Sequence, residues 1–309
     1  MNFVGHDNIR NGFKKCVINN TLSHAHLIIG ANGIGKSLLA QEFALTILNK
    51  EQNREYVDIV KYRTDKNSFG VEEVRAITTE VYKRPFEGDK KVIIIYNGDK
   101  LTIQAQNALL KTIEEPPVGV FIIILCENGE QILDTVKSRC QIYKLTPLSI
   151  NEINKYLDIH HNELREELRK TVIAFSEGVP GRIETFLKDE SFGNIRNMVI
   201  RLFDDINRKN AAVVLKYEEE FSKLKDKEEE ILANVVSLGR DVILYKELQD
   251  TSILINGDKI DDIRKLANEM SYKKLNEIVS IVGETKRNLR SNTNSTITFN
   301  VMFIKLLEV

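Results

Sequence analysis

His26-Leu27-Ile28-Ile29, followed by Gly30-Ala31-Asn32-Gly33-Ile34-Gly35-Lys36-Ser37, is the stretch on which the fold turns. An apolar run breaks into glycines, then a lysine and a hydroxyl, and a segment of helical spacing runs from Ser37 to Asn49. The eight residues fit G-x-x-x-x-G-K-S/T in the strand-to-helix context that this motif requires. Glycines let the backbone wrap an anion so that successive N–H groups and a helix N-terminus face it. Lys36 is suited to bridging β- and γ-phosphate oxygens, and Ser37 to ligating Mg2+ through its hydroxyl. Gly30, Asn32, Gly33, Ile34, Gly35, Lys36 and Ser37 are therefore the candidate cradle for ATP or ADP with Mg2+. The competing reading is a glycine-rich turn with no ligand.

Working outward, residues 26–30, 57–60, 91–96, 120–125 and 141–145 are short runs rich in Ile and Val without strict alternation. Such runs predict strands buried on both faces. Helical spacing fills the gaps at Ser37–Asn49, Val71–Lys83, Ile103–Glu115 and, more weakly, Gln131–Lys137. Strand alternating with helix predicts an α/β domain with a doubly wound parallel sheet. Glu115-Pro116-Pro117 stops the third of these helices, because proline lacks an N–H and restricts the residue before it.

Cleavage needs more than a phosphate cradle: an acidic residue at the end of a second strand must organise Mg2+ and activate water. The strand from Lys91 ends in Tyr96-Asn97-Gly98-Asp99. Neither a phenol nor an amide does the work of a carboxylate there. Asp99 is acidic but further along, and is read as an N-cap for the next helix rather than as a displaced catalytic acid.

Beyond Tyr143 the strand signal fades. Leu145-Thr146-Pro147-Leu148-Ser149 reads as a hinge, Ser149 with Glu152 as a capping box, and Ile150–Leu157 and Glu163–Glu177 as helices. Gly178-Val179-Pro180-Gly181 opens another helix through Leu187, making a small helical domain. From about Glu190 the chain is helical in period throughout: Ile195–Asn207, Ala211–Glu220, Lys227–Glu247, Asp258–Met270, Tyr272–Asn292 and Ser295–Val309. Lys216–Glu230 carries four Lys against seven Asp and Glu, but Tyr217, Phe221 and Leu224 interrupt it at helical spacing, so it reads as a solvated helix face.

The 309 residues hold 44 Lys and Arg against 45 Asp and Glu, a formal charge of −1. That balance excludes a dedicated nucleic-acid or membrane binder, which needs a basic excess. Lys83, Arg84, Lys90 and Lys91 offer at most a local set of phosphate contacts to DNA. The longest apolar runs fall far short of the ~20 residues that span a bilayer. MNFVGHDNIR lacks the features of a signal peptide, so a cytoplasmic location is expected. Cys16, Cys126 and Cys140 make neither a disulfide framework nor a paired zinc signature.

Several further motifs occur in order: Ser23-His24-Ala25-His26-Leu27, Val71-Glu72-Glu73-Val74-Arg75, Pro85-Phe86-Glu87-Gly88-Asp89-Lys90-Lys91-Val92, Ala105-Gln106-Asn107-Ala108-Leu109-Leu110-Lys111 through Glu114-Glu115-Pro116-Pro117, and Ser138-Arg139-Cys140-Gln141. With the phosphate loop they resemble the bacterial clamp-loader AAA+ subunits, across the first two domains. Three features resemble the delta prime branch of that family rather than gamma/tau. The zinc-binding cysteines of gamma/tau are missing from Asn49–Val57, so no zinc site is expected. Tyr96 and Asn97 stand where gamma/tau has paired acids, and Glu177-Gly178-Val179-Pro180-Gly181-Arg182 is similar to the delta prime lid. The complete phosphate loop is a departure, since many delta prime chains have lost it.

The resemblance implies a RecA-like AAA+ domain over 1–146, a helical lid over 147–189 and an all-α collar over 190–309. It implies a place in the DNA polymerase III clamp loader with gamma/tau and delta partners, acting on the sliding clamp and primer-template DNA through the complex, with no membrane. It also implies that Arg139 reaches in trans to the γ-phosphate of a neighbouring subunit. A guanidinium suits that task, having fixed charge and several donors; the plain alternative is a surface arginine paired to a carboxylate. Arg182 stands where related ATPases place a phosphate-sensing residue, and equally reads as a solvated first-turn arginine. Cys126-Glu127-Asn128, after the fourth strand, lies where a polar sensor would sit; Asn128 is read as capping the following turn rather than as that sensor, and His24 as structural. Little or no ATPase or polymerase chemistry is expected of the chain itself. The alternatives are an active gamma/tau-like AAA+ ATPase using Asp99 or Glu114, and a P-loop phosphotransferase.

Overall fold

The computed structural model describes residues 3–309 apart from 53, 65, 67, 210–212, 225–226 and 291–293. Parts of the expected helices Ala211–Glu220 and Tyr272–Asn292 and of the charged stretch Lys216–Glu230 lie outside the described residues. Contacts divide the chain into two compact units: Met1–Asn162 with Ser176–Arg182, and Glu163–Phe175 with Ile183–Val309.

The first unit is built on five parallel strands, β1 (Ala25–Ile29), β2 (Ile59–Tyr62), β3 (Lys91–Ile95), β4 (Val120–Cys126) and β5 (Gln141–Lys144), in the order β2-β3-β4-β1-β5. Helices α1 (Asp7–Ile18), α2 (Lys36–Ile47), α3 (Val71–Val81), α4 (Ile103–Glu114) and the single turn α5 (Asp134–Lys137) connect them. Alternation along the strands feeds two cores. Val92 and Ile94 join Leu39, Phe43 and Phe13 on one face, while Ile93 and Ile95 join Val74, Ile77, Leu109 and Ile113 on the other. Each such residue contributes about 1.5–3 kcal/mol through burial. Burial on both faces holds for β1, β3 and β4 but not for β2 and β5, whose edge positions leave Lys61, Gln141 and Lys144 exposed. Helix α1 has no counterpart in the sequence reading. It fully buries one residue, Phe13, stacked on Phe43, with Ile9 and Val17 packed beside it at helical spacing and a glycine in its middle.

α4 starts from Thr102, whose hydroxyl accepts from the Ala105 N–H at 3.2 Å. Asp99 is therefore not the N-cap. It lies in a 3-10 turn, Gly98–Lys100, and accepts instead from the Glu127 N–H at 3.2 Å. α4 stops at Glu114, before the two prolines. α6 (Ile150–His160) carries the expected box: Ser149 accepts from the Glu152 N–H at 3.3 Å, and Glu152 from the Ser149 N–H at 2.8 Å. α7 (Glu166–Ser176) and α8 (Pro180–Lys188) follow.

The second unit packs α9 (Glu190–Asn207), α10 (Val213–Ser222), α11 (Glu228–Leu248), α12 (Ile260–Glu269), α13 (Tyr272–Arg290) and α14 (Ser295–Glu308) around Phe203, Tyr217, Leu232, Val235, Ile278 and Phe303. Tyr217 and Phe221 are buried, so the acidic residues beside them are the wet face of a packed helix. Asp241, fully buried, accepts from the Ile255 and Asn256 N–H groups at 3.1 and 2.6 Å and pins the loop between α11 and α12. Among the described residues no helix is long and apolar enough to cross a membrane.

His26, the second residue of β1, has no exposed surface and lies 5.4 Å from the Phe13 ring, and among the described residues its Nε2 has no hydrogen-bond partner. Burial pushes its pKa down from 6.5 to about 4. The fold thus refuses a proton that the unfolded chain accepts, so stability is full above pH 6.5 and falls as pH drops towards 4. The loss attributable to His26 is at most ~3 kcal/mol. Thermal melts of a His26→Leu variant will fall less steeply than those of the native chain across this interval.

Candidate functional site

The loop that leaves β1 starts from a fixed point. Gly30 donates its N–H to the Cys126 carbonyl at 3.2 Å, and the Leu145 N–H donates to Ile29 at 2.8 Å. Gly33 and Gly35 then take φ of 80° and 108°, values that favour glycine and swing the chain round into the first turn of α2. Ile34 anchors the loop by burying its side chain in the core, while Ala31, Asn32 and Gly33 stay exposed at the tip. Lys36 folds back, its Nζ donating to the carbonyls of Gly30 at 2.8 Å and Ala31 at 3.0 Å. Ser37 is exposed in the first turn of α2. The expected residues thus lie together in one loop leading into the N-terminus of α2, with donors and a lysine whose chemistry suits an anion.

Two features crowd the loop. The Gly181 N–H donates to the Gly33 carbonyl at 2.9 Å, and a Cβ on Gly181 would stand 2.5 Å from the Gly33 Cα. A Cβ on Gly35 would stand 2.7 Å from the Phe3 ring. The first turn of α8 therefore rests on the loop through close backbone contact at Gly181, with the Val179 side chain beside Gly33. Arg182, one residue on, is brought to the same place. Its guanidinium is paired with Glu177, in keeping with either reading offered by the sequence.

Charge around Lys36 comes from residues beyond the motif. Partial burial lowers its pKa, and Glu127, Asp99 and Cys126 oppose that shift in turn. The sequence reading places Glu127 in the segment after the fourth strand but singles out Asn128 there instead. The signal for it was its place, one residue past the strand that pairs with β1. At the end of β3 no carboxylate stands beside the sheet: Tyr96 is buried beneath the Arg63 guanidinium, 4.5 Å from its ring, and Asn97 takes a left-handed φ of 55°. Asn128 caps the next turn, accepting from the Glu130 N–H at 2.9 Å. His24 bonds through Nε2 to the Ile113 carbonyl at 2.5 Å, a structural tie.

Arg139 follows α5 at the surface, with its side chain 38% exposed and its Nε 2.5 Å from Glu114. Glu114 is thereby engaged and does not serve the phosphate loop. The suggested DNA contacts dissolve at Lys91, which is buried and ion-paired with Glu80 at 2.8 Å, and Lys83 pairs with the same carboxylate.

A Gly181→Ala substitution will force the turn off the loop. Urea unfolding should show a loss of about 1–3 kcal/mol, the range for overpacking a closed contact.

A model for the family described as DNA polymerase III, delta subunit, matches residues 5–149, and one for its C-terminal part matches residues 192–307. The chain is 26% identical to DNA polymerase III subunit delta' of Bacillus subtilis (strain 168), over 88% of this chain and 87% of that one. It is 24% identical to subunit tau of the same organism, over 99% of this chain but 61% of the relative. Among solved structures, a gamma subunit-related protein of Thermotoga maritima superposes with a TM-score of 0.50 at 15% identity, over 96% of this chain and 98% of that one, a likeness of fold. With both models matched in order along a chain that carries this sheet and this phosphate loop, the protein belongs to the clamp-loader AAA+ subunits of DNA polymerase III.

Proposed function

We propose that this chain is the delta prime member of a DNA polymerase III clamp loader. In this reading it assembles with gamma/tau and delta subunits through its collar, residues 190–309. It carries a helical lid over residues 147–189, holds a nucleotide at its phosphate loop without splitting it, and lends Arg139 to a neighbour. Through the complex it helps to place the sliding clamp on primer-template DNA. The observation that carries the reading is the contrast at one sheet edge: a whole phosphate cradle after β1 beside a β3 that ends in a buried phenol and an amide. Bound Mg2+ would neutralise phosphate charge. The chain's own parts would hold the phosphates with loop N–H groups and Lys36, and would position the metal by Ser37. Exposed Arg139 offers fixed charge to a phosphate outside this chain.

Asp99 favours a second reading, an active ATPase, because it is the first carboxylate after β3 and one of the charges felt by Lys36. Its engagement by the Glu127 N–H weighs against a free catalytic base.

Steady-state phosphate release separates the two. The purified chain should bind labelled ADP in a Lys36-dependent way and turn ATP over at a rate that Lys36→Ala and Asp99→Asn leave at background. A robust rate lost in both variants would establish the ATPase instead. In a loader reconstituted with gamma/tau and delta subunits, Arg139→Ala should lower turnover by roughly tenfold or more, with assembly intact by gel filtration. Unchanged turnover would remove the finger role.

A further inference from the structure

The guanidinium of Arg139 is held by its own chain along two of its three nitrogens. Nε donates to Glu114 Oε1 at 2.5 Å, and Nη1 donates to the Thr135 carbonyl at 2.9 Å and to the Ser138 hydroxyl at 3.3 Å. Among the described residues no hydrogen bond takes Nη2. Of five N–H donors in a rigid plane, those on Nε and Nη1 face partners in this chain, and the two on Nη2 are left for another.

The frame behind this arrangement is rigid. Glu114 is the last residue of α4, a helix seated by fully buried Leu109 and Ile113 and stopped by Pro116 and Pro117. Gln106, also buried, ties that helix to the approach to α5: its Nε2 donates to the carbonyls of Leu101 and Gln131 at 3.1 and 2.9 Å, and its Oε1 accepts from the Leu133 N–H at 2.8 Å. The carboxylate and the guanidinium therefore meet because α4 and α5 are fastened to each other, not because two surface side chains happened to touch. An ion pair this exposed contributes little to stability. Ordering a free arginine, by contrast, forfeits much of its rotamer entropy at the moment of binding.

We infer that Glu114 is a positioning residue for Arg139: it pre-orients the guanidinium so that the Nη2 donors meet a phosphate oxygen bound by the adjacent subunit. The inference rests on the trans role of Arg139 proposed above. Glu114 touches no nucleotide itself. It acts by cutting the conformational search of the group that does.

The test uses the full chain reconstituted with gamma/tau and delta subunits, with ATP as substrate, and compares Glu114→Ala, Glu114→Gln and Arg139→Ala. Glu114→Ala should lower kcat by roughly three- to tenfold while KM for ATP stays within about twofold, as expected when a transition-state group is misplaced rather than removed. Glu114→Gln, whose amide oxygen still accepts from Nε, should restore most of the rate. Melting temperature and assembly of all three variants should match the native chain, which separates positioning from structural damage. A Glu114→Ala loader with unchanged kcat, one that is faster, or a Glu114→Gln loader as slow as Glu114→Ala would each overturn the inference. If Arg139→Ala lowers turnover while Glu114→Ala does not, the finger stands and only the positioning falls. If neither changes turnover, both fall.

Discussion

Strand β1 is hydrogen-bonded along both sides. Its last residue, Ile29, stands opposite Cys126 of β4 and Lys144 of β5, and the chain that follows is clamped again by the bond from the Gly30 N–H to the Cys126 carbonyl. This central pairing in a parallel sheet is the constraint from which the rest of the site descends. All five strands end on the same edge, so the phosphate loop after β1, the Asp99 turn after β3 and Glu127 after β4 are delivered side by side. A shift of one residue in the β1–β4 register would carry Ile28 and Leu27 to the wrong cores and move the loop away from the carboxylates.

The electrostatics of that edge separate holding from cleaving. The loop supplies oriented N–H groups and a lysine, and the lysine's charge is supported by carbonyl oxygens and by two acids that approach from neighbouring strands. Glu127 follows β4, and Asp99 lies four residues past β3 with its carboxylate bound to the Glu127 N–H, so the residues directly after β3 are Tyr96 and Asn97. Tyr96 turns that position into core, with a cation over its ring. On the proposed reading, the loop side of this edge suits binding and the β3 side lacks the group that cleavage needs.

Much of this was legible in the amino-acid order, and the unread parts share a cause. Central strands could be read because Ile and Val run unbroken where both faces are covered, and the capping box and the proline stop could be read because they are local. Helix α1 was missed although Ile9, Phe13 and Val17 repeat at helical spacing, because the polar residues and Gly12 between them dilute the apolar signal. The N-cap at Thr102 rather than Asp99 depended on a carboxylate drawn away by the Glu127 N–H, a partner 28 residues distant. Exposure of β2 and β5 followed from strand order, which composition does not encode. Glu127 beside Lys36 and Glu114 beside Arg139 are likewise products of topology: each pair comes from segments that only the sheet brings together.

The contact between Gly33 and Gly181 joins two turns far apart in the chain through backbone atoms alone. Neither position can acquire a side chain while the other remains where it is. Each clash is with the other's backbone, which any residue would keep, and Gly33 also holds a φ of 80°, so a loss of glycine at one position does not release the other.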